Sequence, residues 1–279
     1  MGIIIDLLLD TIEDVLKIVP FLLAVYFFLE WMEQEHEHKL ENLLETHRKL
    51  APAAGALLAL FPSCGFSGAS SSLYATGVIS LGTLMAVYLS TSDEMLPIMV
   101  TAGAAWHTIL PVLLVKLVAA FVFGYIIDRL VPKKKIDINE FCEREHDDHS
   151  HGLFHSVLLH TLEVSAWLMV ITFLFNGAVK LVGEETLRAF ISSYPNKSVL
   201  LCGIVGMIPN CASSVLLTTM YLEGVISFPA VCTGLLANAG TGIMILWRVN
   251  PGWKENIKIM LLLWGCSLLS GAVMLLLNI

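Results

Sequence analysis

The chain has 279 residues, of which 56% are hydrophobic and 14% charged, and its mean hydropathy is +0.77. A soluble domain of this composition would have too few polar side chains to cover its surface, so the composition indicates a membrane protein. The net charge of −8 comes largely from polar loops, and no basic patch interleaved with aromatic residues indicates nucleic-acid binding.

The first half is predicted to contain five membrane elements, some of them interrupted or re-entrant. Its first 14 residues carry four carboxylates and lack the basic region of a cleavable signal peptide. In chain order the apolar elements are 15–32, 51–74 with a break at 62–65, 79–89 and 95–105 on either side of a break at 90–94, and 109–127.

The second half repeats this order after a hydrophilic stretch. We therefore divide the chain into membrane repeat 1 at 1–132, a His/acid-rich cytoplasmic linker at 133–152 and membrane repeat 2 at 153–279. The elements of repeat 2 are 154–182, 199–221 with a break at 209–211, 225–246 with a break at 237–242, and 259–277, with a basic loop at 248–258.

An internal duplication underlies this order. Residues from Pro62 to Ile98 match residues from Pro209 to Ile245 without a gap, each 147 positions apart, and ten of these 37 positions are identical. The identities include Pro, Cys, Tyr and a Gly-Val-Ile-Ser run, which chance similarity between two apolar segments would not favour. Paired hydrophobic segments interrupted by Gly and Pro are typical of a transporter's binding site.

An odd number of elements in each half predicts opposite membrane orientations. The expected fold is an all-α polytopic membrane protein with about ten transmembrane or re-entrant elements in two inverted five-element repeats with broken helices. The loops at 33–50, 128–152 and 248–258 hold most of the Lys and Arg, so the positive-inside rule places them in the cytoplasm. Both termini are then predicted outside the bacterial cytoplasmic (inner) membrane.

The four breaks are predicted to form one polar site. Unwound backbone at membrane depth is tolerated where it is buried in protein or lines a watery cavity. Carbonyl, carboxylate, amide and hydroxyl oxygens suit a hard divalent cation such as Mn²⁺, and thiols would add soft ligands. The candidate ligands are Ser90, Ser92, Asp93, Glu94, Cys64, Asn210, Cys211, Asn238 and Thr241.

Asp93 and Glu94 are the residues that most strongly indicate a functional site. Adjacent carboxylates in an apolar segment cost several kcal/mol if they face lipid, which predicts a function as metal ligand and proton carrier. The alternative is a water-facing cap on the helix that begins near Met95. The matching residues, Gly240 and Thr241, carry no charge, which argues against symmetric capping.

Two further pairs of side chains have two interpretations each. Cys64 and Cys211 are either ligands or ordinary buried small side chains. His160 and Glu163 lie three residues apart on one helix and are either proton-coupling groups or polar packing contacts.

The linker and its flank form a second candidate metal site, since imidazole and carboxylate together suit Zn²⁺, Ni²⁺ and Cu²⁺ and bind Mn²⁺ less tightly. The alternative is a solvated linker whose histidines bind nothing. The residues are His146, Asp147, Asp148, His149, His151 and His155.

At these positions the sequence resembles a family of bacterial ten-helix heavy-metal exporters, whose members are labelled manganese transporters or arsenic efflux permeases. The resemblance rests on Phe61–Ser67, Leu89–Pro97, Ile208–Ser214 and Leu222–Ile226, and on the His-rich linker. Ser63 departs from the Gln expected in many members. The resemblance implies cation efflux more firmly than it implies which cation.

The leading hypothesis is a secondary transporter that exports a divalent transition metal, Mn²⁺ first and Zn²⁺, Fe²⁺ or Co²⁺ as alternatives, by proton exchange. The sequence has no phosphate-binding loop that would indicate ATP hydrolysis. It also has no arrangement of nucleophile and base that would indicate an enzyme. No prosthetic group is expected. The expected partners are the lipid bilayer, the metal cation and protons, with a homodimer left open. The alternatives are an arsenite or organoarsenical permease using Cys64 and Cys211, and a membrane metal sensor.

Overall fold

The structure, a computed structural model, describes residues 50–60, 64–91, 95–131, 153–182 and 197–277, and short stretches between 8 and 27 and between 186 and 193. The side chains of Cys64, His155 and His160 lie outside the described set. Regular structure in the described part is helical throughout, without strands. The all-α prediction is therefore confirmed.

The helices are numbered here in chain order. The first half contains α1 (Ala51–Leu58), α2 (Cys64–Ala75), α3 (Leu81–Ser90), α4 (Met95–Thr101) and α5 (Trp106–Leu130). The second half opens with the long helix α6 (Leu153–Val182). It continues with α7 (Ser198–Gly206), α8 (Cys211–Leu222), α9 (Phe228–Ala237), α10 (Gly242–Val249) and α11 (Trp253–Leu276).

The helices α7 to α11 repeat α1 to α5 almost residue for residue. Each begins 147 positions after its counterpart, and the pairs α2/α8 and α3/α9 also end 147 positions apart. The turns that follow α2 and α8 are alike as well, because Gly77 and Gly224 have φ of 78° and 73°. Only glycine adopts this left-handed conformation without strain. The sequence duplication is therefore a duplication of backbone structure.

Helices α3 and α9 form the centre of the protein. Every residue from Gly82 to Ser90 and from Pro229 to Ala237 is buried. Helix α5 packs on α3 and α11 packs on α9, while across the halves α2 packs on α10 and α4 packs on α8. When each helix is replaced by its counterpart in the other half, the same four pairings result.

The outer helices α5 and α11 run in opposite directions. Ile127, near the end of α5, shares a buried cluster with Ile259 and Leu263 of early α11. Ile109, near the start of α5, shares a second cluster with Met274 of late α11. The equivalent helices α5 and α11 are therefore antiparallel to each other.

Small residues let the central helices approach closely. A Cβ atom on Gly206 of α7 would lie 2.1 Å from the carbonyl oxygen of Gly234 in α9. Similarly, a Cβ atom on Gly82 of α3 would lie 2.3 Å from the carbonyl oxygen of Gly124 in α5. Such contacts are typical of membrane helices, where association depends on close van der Waals packing.

Four helical segments in the described part are long and apolar enough to cross a membrane. Many leucines and valines of the outer helices are exposed, as expected of side chains that face lipid. This is the pattern of a multi-pass membrane protein. The segments are Trp106–Leu130, Val157–Leu174, Phe228–Val249, which joins α9 to α10, and Trp253–Leu276.

The loop predicted at 248–258 is shorter than expected. Helix α10 ends at Val249 and α11 begins at Trp253, so Lys254 and Lys258 lie on a helix. Pro251 and Gly252 interrupt the helix as expected. The charged residues that follow misled the prediction, because a first helical turn accepts charged side chains at the membrane surface.

Candidate functional site

The first break of the second half separates α7 from α8. Pro209 disfavours helical backbone at the residue before it, so the helix stops short of that point. Asn210 then has extended backbone, with φ of −149° and ψ of 147°, and its Oδ1 accepts a hydrogen bond from the Ala212 N–H at 3.1 Å. This is the N-cap arrangement that starts α8.

The second break separates α9 from α10. The Oδ1 of Asn238 accepts a hydrogen bond from the Gly240 N–H at 2.8 Å, and Gly240 has φ of 56°. An asparagine turn followed by a left-handed glycine ends the helix without strain. The hydroxyl of Thr241, at the start of α10, is buried and has no hydrogen-bond partner among the described residues.

These two breaks meet at the hydroxyl of Ser213. The Asn238 Nδ2 donates to Ser213 Oγ at 3.1 Å. The same oxygen lies 3.1 Å from the carbonyl oxygen of Ile208 and 2.8 Å from that of Asn210. Asn210, Ser213 and Asn238 are all buried. The carbonyl groups freed at one break therefore share a polar contact with the side chain that forms the other.

Helix α2 of the first half also reaches this region. The Ser71 hydroxyl lies 2.7 Å from the carbonyl oxygen of Gly242, the first residue of α10, and 2.7 Å from the Tyr88 hydroxyl of α3. A Cβ atom on Gly242 would lie 2.8 Å from the Ser67 Cβ. Helix α2, which begins at Cys64, therefore packs against the second break of the other half.

The structure describes the two ends of the break between α3 and α4. Hydroxyl groups of Ser90 and Thr91 donate to the carbonyl oxygen of Val87 at 3.3 Å and 2.7 Å. Helix α4 then packs on α8, and Met95 and Met99 join the buried cluster that contains Leu217. The packing of α4 on α8 corresponds to the packing of α10 on α2 in the other pair of equivalent helices.

Asn210, Asn238 and Thr241 are buried at or beside the meeting point of the two second-half breaks, whereas Cys211 is half-buried at the start of α8. Ser90 is buried, and its hydroxyl bonds back to its own helix. The remaining break residues, Ser92, Asp93, Glu94 and the Cys64 side chain, lie outside the described residues and stay predictions.

Of the other predicted groups, the structure describes the side chain of Glu163 alone. Glu163 is exposed and pairs with Arg248 in the last turn of α10. The side chain of His160 lies outside the described residues, as does the side chain of His155. The linker residues His146, Asp147, Asp148, His149 and His151 also lie outside the described part of the chain.

Apart from the half-buried thiol of Cys211, the described polar groups around the breaks are amide, hydroxyl and carbonyl groups. Among the described residues no group of three or more His, Cys, Asp or Glu side chains could hold a metal ion. A cation held by the buried groups at this point would therefore have hard, uncharged oxygen ligands.

Lys116 is a residue that sequence reasoning missed. It lies near the middle of α5, is 1% exposed, and donates from Nζ to the Leu235 carbonyl oxygen at 3.0 Å. We interpreted 109–127 as an uninterrupted apolar span because its average is strongly apolar. A single lysine inside such a span is itself a signal, since ionisable groups within a membrane are costly and usually functional.

A polar network at one end of the molecule was missed as well. The Tyr74 hydroxyl, at the end of α2, donates to Glu255 Oε1 at 2.5 Å, and Asn250 Nδ2 donates to Asn256 Oδ1 at 2.7 Å. Asn250 Nδ2 also lies 3.3 Å from Glu255 Oε2. The network joins the first half to the turn between α10 and α11. Its partners are as far as 181 residues apart, so the sequence held no local sign of it.

A family model matches most of the chain. The model of a family described as "Putative, 10TM heavy-metal exporter" matches residues 1–172 and 129–252. No curated protein and no solved structure matches the chain significantly.

Proposed function

Because the chain belongs to this family of ten-helix heavy-metal exporters, we propose that it exports a divalent transition-metal cation, with Mn²⁺ as the leading substrate. Zn²⁺, Fe²⁺ and Co²⁺ are alternatives. The observation that carries the proposal is the meeting of two helix breaks at Ser213, with α2 of the other half packed beside them. Broken helices that converge inside a membrane protein are the typical substrate site of secondary transporters.

The chemistry of the breaks supports a hard cation. Asn210, Asn238 and the carbonyl groups near them supply oxygen atoms, and the proposed carboxylates Asp93 and Glu94 would supply negative charge. Mn²⁺ prefers such oxygen ligands, and carboxylates can exchange it for protons. Proton exchange is therefore the proposed energy source.

An inverted-repeat mechanism follows from the symmetry of the helix pairings. Equivalent helices α5 and α11 are antiparallel, which supports two halves inserted in opposite senses. Rocking of one half against the other would then expose the breaks to each side in turn. We place the protein in the bacterial cytoplasmic membrane with both termini outside, in agreement with the distribution of Lys and Arg.

The direct test is Mn²⁺ uptake into inside-out vesicles that contain the full chain. An Asp93→Asn variant should lose most of the flux, because the site loses a charged ligand and a proton carrier. Asp93→Glu, which keeps the charge, is the matched control and should retain a measurable fraction. Flux that is unchanged in Asp93→Asn would remove this carboxylate from the mechanism.

A second candidate substrate is arsenite or an organoarsenical. Cys211 is a half-buried cysteine at the start of α8, and Cys64 holds the equivalent position in α2. Two thiols would suit a soft As(III) centre. Arsenic export that survives replacement of both cysteines by serine would contradict this alternative. Absence of flux combined with metal-dependent binding of a partner at 133–155 would instead favour a metal sensor.

A further inference from the structure

Lys116 has no role in the transport scheme above, although its position is unusual. Of the charged side chains that the structure describes, it alone is buried. It stands ten residues after Trp106 in α5, which corresponds to about 15 Å along the helix axis at 1.5 Å per residue. That depth is close to the middle of a bilayer about 30 Å thick.

The ammonium group contacts the end of a broken helix. Leu235 lies in the last turn of α9, which ends at Ala237, so its carbonyl group has no partner in its own helix. The Lys116 Nζ donates to this oxygen at 3.0 Å. The carbonyl end of a helix carries partial negative charge and attracts cations. The ammonium therefore stands where a cation would be stabilised.

The duplicated half has no such group. The position equivalent to Lys116 is Leu263, which is fully buried and apolar. In the equivalent turn of α3, the hydroxyl groups of Ser90 and Thr91 bond to the Val87 carbonyl oxygen. Lys116 is therefore an addition to the repeated scaffold, and it acts on the break of the second half.

Leu235 lies close in sequence to the residues where the two breaks of the second half meet. Asn238 follows it by three residues, at the break where its amide contacts Ser213. A metal ion bound among these oxygen atoms and the Lys116 ammonium would repel each other, because both are positive and both Lys116 and Asn238 are buried.

We propose that the Lys116 ammonium competes with the exported cation for the carbonyl end of α9. Binding of the metal ion displaces the ammonium, and the ammonium returns when the metal ion leaves. The ammonium thus stabilises the empty carrier and promotes release of its cargo. This inference rests on the proposed cation export and names a residue that sets the affinity of the same site.

The test is Mn²⁺ binding to the purified full-length protein, measured by isothermal titration calorimetry. Lys116→Met removes the competing charge and should bind Mn²⁺ about tenfold more tightly or more. Lys116→Arg keeps the charge and should stay close to the wild-type affinity. Leu263→Met, at the equivalent position of the other half, is the matched control and should leave the affinity unchanged.

A purely structural lysine predicts the opposite sign. If Lys116 only caps α9, its loss leaves carbonyl groups unpaired, and Mn²⁺ binding becomes weaker or stays the same. Either result overturns the competition. Wild-type protein that neither binds nor transports any tested cation overturns the proposed function as well. Wild-type transport with unchanged affinity in Lys116→Met overturns the competition alone.

A measurement on the wild-type protein covers the case in which Lys116→Met does not fold. Labelling of Lys116 by a membrane-permeant amine reagent, quantified by mass spectrometry, should increase when Mn²⁺ saturates the protein, because the ammonium is released from Leu235. Labelling that is unchanged or reduced by Mn²⁺ overturns the proposal.

Discussion

The two halves of the molecule have the same helices and different polar chemistry. Helices α1 to α5 and α7 to α11 begin at positions that correspond throughout, and both central helices are buried along their length. At the described start of the break after α3, the hydroxyl groups of Ser90 and Thr91 bond to the Val87 carbonyl oxygen of the same helix. At the break after α9, Asn238 donates a hydrogen bond to Ser213 of α8.

The ends of α2 and α8 also differ in their polar contacts. Tyr74 donates a hydrogen bond to Glu255 of the opposite half, whereas the ring of its equivalent Tyr221 packs against Phe228 with centroids 6.2 Å apart. The apolar helix packing is therefore repeated in the two halves, whereas these polar contacts are not. A substrate site in such a protein is to be sought where the halves differ.

The largest expected effect tests how closely the second half packs. A Cβ atom at Gly206 would lie 2.1 Å from the Gly234 carbonyl oxygen, which cannot move without shifting α9. Gly206→Ala should therefore destabilise the protein by about 3 kcal/mol, at the upper end of overpacking. The first half has Ala59 at this position and should not show the constraint. Thermal unfolding in detergent measures the effect.

Gly265→Ala on α11 is the control for that substitution, because a Cβ atom there meets nothing within 4 Å. Its unfolding temperature should not fall. Equal losses of stability in the two variants would show that the close approach of α7 and α9 is unimportant.

The next effect compares the two second breaks. Asn238→Ala removes the bonds to Gly240 and Ser213, leaves buried groups unpaired, and should cost about 2 kcal/mol. Thr91→Val, at the equivalent position, removes a bond within a single turn and should cost about 1 kcal/mol or less. Chemical denaturation of both variants, with Mn²⁺ flux measured in parallel, checks the order. A larger loss for Thr91→Val would reverse the comparison.

The smallest effect concerns the ends of α2 and α8. Tyr74→Phe should lower the free energy of unfolding by about 1 kcal/mol, because the hydrogen bond to the half-exposed Glu255 carboxylate is lost. Tyr221→Phe keeps the ring contact with Phe228 and should be close to neutral. Equal changes in stability would mean that the polar network contributes nothing beyond ring packing.

The sequence allowed the helix breaks of the site to be predicted, but not the contacts between them. The breaks around Asn210 and Asn238 were predicted, because Pro, Asn and Gly act on the backbone within a few residues. Ser213 was passed over, since nothing in its neighbours marks it as the point that joins two breaks. Lys116 was concealed by the strongly apolar residues around it.

By itself the sequence determined the helices, their interruptions and their duplication. Hydropathy, turn residues and the repeated spacing act locally and do not depend on how the chain packs. The tertiary structure decided which interruptions meet, because contacts such as Ser71 with Gly242 or Lys116 with Leu235 join residues more than a hundred positions apart. Such contacts depend on the close packing of whole helices, which no local pattern specifies.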